Sequence, residues 1–124
     1  MAQLTVDFVV TGDPQRAQAT VVTALAAAQF RLTWESPWSG VAERGNKTMN
    51  FLFGAFAQYF KVDMQLTDAG DGRTVVRVVR SNSGAMGGVA GVARIRKQFA
   101  AVASALEHAF RGAGVLVARN DIAG

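Results

Sequence analysis

The chain of 124 residues contains no cysteine, which excludes disulfide scaffolds, thiolate metal sites and thiol nucleophiles. Its single histidine, His108, excludes multi-histidine metal centres. No stretch reaches the ~18 consecutive apolar residues that a membrane-spanning helix needs. The first residues, MAQLTVDFVV, have no basic segment, and Asp7 interrupts their apolar character, so they do not read as a signal peptide. A cytoplasmic location is the resulting expectation. No phosphate-loop motif, calcium-loop spacing, internal repeat or interdomain linker is present.

What is present is one domain's worth of core. Half of the residues are hydrophobic and 18% are charged, which excludes intrinsic disorder. A chain of this length buries roughly two-thirds of its unfolded surface in one core. The sequence predicts a single domain over 1–117 and a C-terminal tail over 118–124 that carries little apolar periodicity.

Residues 3–10 alternate, with Leu4, Val6, Phe8 and Val10 on one face, and predict a half-buried strand. Asp13 and Pro14 are suited to start a helix, as cap and first-turn residue. Ala17, Val21, Ala24, Leu25 and Ala28 form its apolar stripe over 15–29. Residues 30–35 alternate again, with Phe30, Leu32 and Trp34 inward. Ser36-Pro37 turns the chain, and 38–46 reads as a third strand weakened by Gly40 and Gly45. Residues 47–57 fit either a strand extension or a short helix. Residues 58–67 and 73–81 read as a hairpin around the turn Asp68-Ala69-Gly70-Asp71-Gly72. The stripe Val92, Ile95, Phe99, Val102, Leu106 and Phe110 predicts a long helix over about 89–111, which Gly112 and Gly114 end.

The order β-α-β-β-β-β-α predicts an α+β fold: one antiparallel sheet of about five strands with both helices on one face. In element order alone this resembles the helix-grip and TATA-binding-protein-like class, in which a curved antiparallel sheet wraps a long C-terminal helix, as in START and polyketide-cyclase-type lipid carriers. That resemblance implies a ligand site between sheet and helix.

Three features are candidates for function. The aromatic segment Met49, Phe51, Leu52, Phe53, Phe56, Tyr59 and Phe60 is denser than an alternating strand needs; it reads either as core or as the mouth of an apolar pocket or an oligomer surface. The glycine-rich run 83–91 opens the long helix and allows either close packing or a small unfilled volume beneath it. The third is charge. The formal net charge is +4, but Arg73 to Leu106 holds six basic residues and no acid, against seven basic and nine acidic residues elsewhere. This marks a candidate anion-binding region or a solvated face.

Catalysis has little to draw on. His108 follows Ser104 by one helical turn with no orienting acid in sight. Asp68 and Asp71 are explained by a turn. Glu43–Lys47 and Glu107–Arg111 read as local ion pairs. The outer sheet face should carry Asp7, Arg31, Glu35, Lys61, Asp63 and Arg77, a mixture of signs that argues against a nucleic-acid saddle. The sequence therefore favours a non-catalytic binder of a small apolar or amphipathic molecule with an acidic head group. Trp34, Phe53, Phe56, Phe60, Met86 and Phe99 would line the site, and Arg80, Arg94, Arg96 and Lys97 would meet the anion. No metal or cofactor is expected. The alternative is an interaction or homo-oligomerisation module using 49–60 and the basic stretch 73–97.

Overall fold

The computed structural model describes residues 4–44, 60–80 and 88–122, and side chains within them except over 88–95. Among the described residues, six strands and two helices follow in the order β1 (Leu4–Thr11), α1 (Pro14–Ala27), β2 (Arg31–Ser36), β3 (Ser39–Arg44), β4 (Phe60–Gly70), β5 (Arg73–Arg80), α2 (Gly88–Gly112) and β6 (Leu116–Ile122). The strands form one sheet in the order β2-β3-β4-β5-β1-β6, and every neighbouring pair is antiparallel. The architecture is α+β and compatible with a helix-grip-like arrangement. No described helix is long and apolar enough to cross a membrane.

The strand count corrects the expectation of about five. Residues 118–122, read as tail, belong to β6, which pairs with the free side of β1. An edge strand buries little, and only three residues of β6 (Leu116, Ala118 and Arg119) are even partly covered, so no alternation marks it. The third strand begins at Ser39 and not at 38, because Pro37 and Trp38 form the turn before it. The readings of 47–57 and of the glycine-rich loop 83–87 lie outside the described residues.

Local chemistry explains most boundaries. The Asp13 side chain accepts a hydrogen bond from the Arg16 N–H at 2.9 Å and caps α1, with Pro14 in its first turn. The β4–β5 turn uses Asp71 and Gly72, both at positive φ (54° and 72°), a geometry that suits the twist of a hairpin. Gly12, between β1 and α1, has φ 103°, a region that residues with a side chain avoid. Its carbonyl accepts from the Thr74 hydroxyl at 2.9 Å, and its N–H donates to the Gly72 carbonyl at 2.7 Å. Thr74 is fully buried, so its hydroxyl must be satisfied within the protein. Replacing Thr74 with valine keeps the shape and orphans the Gly12 carbonyl. The expected cost is about 1–2 kcal/mol in urea unfolding, with an unchanged m-value.

One face of the sheet is covered. Val6, Phe8 and Val10 of β1, Phe60, Val62, Met64 and Leu66 of β4, and Val76 and Val78 of β5 are buried beneath the helices. From α1 come Ala17, Val21 and Leu25; from α2 come Phe99, Val102, Ala103, Leu106 and Phe110. The other face carries the mixed charges expected of it. Asp7 and Arg77 face each other across β1 and β5 in a two-pronged ion pair at 2.8 and 2.9 Å. Each guanidinium N–H meets its own carboxylate oxygen, a geometry that suits Arg better than Lys.

Candidate functional site

Strand register places an aromatic and cationic corner at one end of the sheet. Arg44, the last residue of β3, stands opposite Phe60, the first of β4. The chain enters β2 through Phe30, just after α1 has ended, and Phe30 is buried. The Phe30 and Phe60 rings meet edge-to-face at 6.4 Å, an arrangement favoured by their quadrupoles. The Arg44 guanidinium lies 4.9 Å from the centroid of the Phe30 ring and donates to the Ala28 carbonyl at the end of α1, at 3.4 Å. A cation is favoured there by both the ring face and the negative end of the helix.

The neighbouring rows add charge of the same sign. Arg31, Glu43 and Lys61 are aligned across β2, β3 and β4. Arg80 ends β5 opposite Leu4 and is half-buried. These outermost rows carry Arg31, Arg44, Lys61 and Arg80 against one acid, Glu43, among the described residues. At the opposite end of the sheet, the Phe110 ring meets that of Phe8 at 5.7 Å and the chain turns into β6. The first half of α2 therefore runs back along the sheet, away from that end. It carries Arg94, whose side chain lies outside the described residues, and the exposed Arg96 and Lys97. Arg80 is the one candidate cation placed directly at the sheet end. Arg44 and Phe30 were missed: neither belongs to the basic run 73–97, and only strand pairing joins them.

Of the expected apolar wall, Phe60 and Phe99 lie in one buried cluster between sheet and helices, and Trp34 packs against it from β2. Phe53, Phe56 and Met86 lie outside the described residues. Trp34 has a structural task, since its indole lies over Gly40, its cross-strand partner. Gln98 precedes Phe99 on α2, and its side-chain carbonyl oxygen is enclosed without a hydrogen-bond partner among the described residues. Such an acceptor is costly unless a donor reaches it.

A concave feature lies at the opposite end, an open groove of about 590 Å³ between the last turns of α2 and β6. Glu107, Arg111, Leu116, Val117 and Arg119 line it. Its charges are paired with one another. Glu107 binds Arg111 at 2.9 Å, as its i,i+4 spacing predicts, and Arg119 at 2.7 Å. Arg119 also forms a two-pronged pair with Asp121 and lies 5.9 Å from the Phe8 ring centroid. The Arg119 hydrogen bond holds the Glu107 carboxyl below its usual range. His108 is exposed nearby, with no role in this network. Among the described residues no three potential ligands gather to hold a metal ion.

Against known families and curated proteins, no family model and no protein matches the chain.

Proposed function

We propose that this chain is a non-catalytic binder of a small apolar or amphipathic molecule with an acidic head group, held between the sheet and α2 at the cationic corner. The observation that carries the reading is the coincidence of an apolar interior, Phe60 and Phe99, with a sheet end whose charges are almost all positive, Arg44 and Arg80 among them. Burying an apolar tail contributes about 25 cal/mol per Å² removed from water. A carboxylate beside Arg80 adds charge-assisted hydrogen bonds, and these orient the molecule head outward. The unpartnered Gln98 oxygen is an acceptor that a hydroxyl on the ligand would satisfy. The helix-grip likeness supports the same placement by analogy.

The test pairs native mass spectrometry of the purified protein with displacement of a fluorescent dye by fatty acids and by the corresponding alcohols. The acids should displace it, with affinity rising with chain length. Arg80→Gln should weaken the acids by about tenfold, roughly 1.4 kcal/mol, and leave the alcohols unchanged. No co-purified mass and no displacement by either series would refute the reading.

A further inference from the structure

We propose that β6 joins a second copy of this chain, strand to strand, so that one sheet runs continuously through both. The inference is independent of the ligand site, which lies between the sheet and α2 and not along the sheet's edge.

The two outer strands of the sheet differ. β2 has six residues, an irregular register between Trp34 and Ser36, and Pro37 immediately after it. A proline beside a strand is one of the devices by which sheets blunt an edge. β6 has neither proline nor lysine and exposes Val117 and Ile122 (45% and 40% accessible). An open groove separates the start of β6 from the last turns of α2. Among the described residues no strand pairs with its outer side, so its outward N–H and C=O groups offer a template for another strand.

Symmetry then selects one register. Identical edges pair antiparallel about a two-fold axis normal to the sheet, which keeps both copies' helices on one face and sets a single residue opposite itself. The β1–β6 ladder places Val9 opposite Ala118 and Val10 opposite Leu116, so Val117 is an extra, bulged residue. The regular stretch is Ala118–Ile122, and its midpoint is Asn120. An axis at Arg119 or Asp121 would oppose like charges, which is unfavourable. An axis at Asn120 sets Arg119 of each copy against Asp121 of the other, and Ala118 against Ile122. Arg119 and Asp121 already bind each other within one copy at 2.8 Å. Across the axis they would close into a ring of four alternating charges, while Ile122 gains an apolar neighbour.

The absence of cysteine makes the test direct. Opposed residues in an antiparallel pair have Cα atoms about 4.5–5.5 Å apart, within the ~4.4–6.8 Å that a disulfide spans. Asn120→Cys should therefore cross-link into a covalent dimer under mild oxidation. Ala118→Cys should not, because its symmetry mate lies about 13 Å away along the strand. Thr33→Cys, on β2, should also stay monomeric. Sedimentation equilibrium from micromolar to submillimolar protein should show a reversible dimer. Asp121→Arg, at an exposed side chain, should raise its dissociation constant at least about tenfold. A monomer at every concentration would overturn the proposal. So would a dimer that cross-links through position 33 or 118 in preference to 120, or one indifferent to Asp121→Arg.

Discussion

Phe110→Ala is expected to destabilise the protein by about 3–5 kcal/mol, against a total of about 5–15 kcal/mol for a domain. Phe110 is fully buried and meets Phe8, also fully buried, ring to ring at 5.7 Å. Nothing nearby can refill the space cheaply. Phe8 is fixed on a strand hydrogen-bonded on both sides, and the Arg119 guanidinium near its ring is tied to Glu107 and Asp121. The loss therefore combines transfer free energy with a cavity, and urea unfolding should shift to a much lower midpoint. Thermal scans should show a Tm lower by about 10–20 °C. Val117→Ala, at an exposed position, should change stability by less than about 0.5 kcal/mol. A midpoint shift for Phe110→Ala no larger than that of Val117→Ala would show that Phe110 does not anchor α2 to β1.

The second large effect is expected at Gly40. A methyl group there would lie 2.6 Å from Cε3 of Trp34 and 2.9 Å from the Thr33 carbonyl oxygen. Both distances are shorter than real contacts, so something must move. The indole can swing at the cost of its packing on the core; the carbonyl belongs to the neighbouring strand and cannot. Gly40→Ala should cost about 1–3 kcal/mol, and Gly40→Val more. The double-mutant cycle carries the explanation. In a Trp34→Ala background the cost of Gly40→Ala should fall but not vanish, because the Thr33 carbonyl remains. Equal costs in both backgrounds would show that the indole is not the obstacle.

Gly40 also shows where sequence reasoning reaches its limit. Read along the chain, a glycine interrupts a strand and weakens it. Read across the sheet, it makes room for the ring of its partner six residues earlier. Elements whose determinants are local were legible. The Asp13 cap, the Asp71-Gly72 turn, the alternation of Val6, Phe8 and Val10 and the stripe from Phe99 to Phe110 each announce themselves within a few residues. β6 does not, because what holds it is distant: the ladder with β1 and the Arg119–Glu107 contact, neither visible in a local window. The candidate site divides the same way. The excess of positive charge could be counted from composition, and Arg80 belonged to it. The Arg44–Phe30–Phe60 corner could not, since strand pairing and the end of a helix bring those three together.

The place of β1 in the sheet has a consequence in time. Of the described strands it is the first to leave the ribosome, yet both of its neighbours are made late. β5 begins at residue 73 and β6 at residue 116. At about 5–20 residues per second, roughly 3–12 s separate the end of β1 from the start of its earlier partner. Through that interval the alternating apolar side chains of β1 have no strand beside them, while the β2–β3 pair closes within a few residues of its own synthesis. Completion of the sheet waits on contacts such as Thr5 with Ile122, nearly the whole chain apart, and separations of that kind slow folding. Of the described strands, the one most in need of shelter is thus the first made, and a chaperone that holds Val6, Phe8 and Val10 until β5 emerges would raise the yield of folded protein more than one acting on any later strand of the sheet.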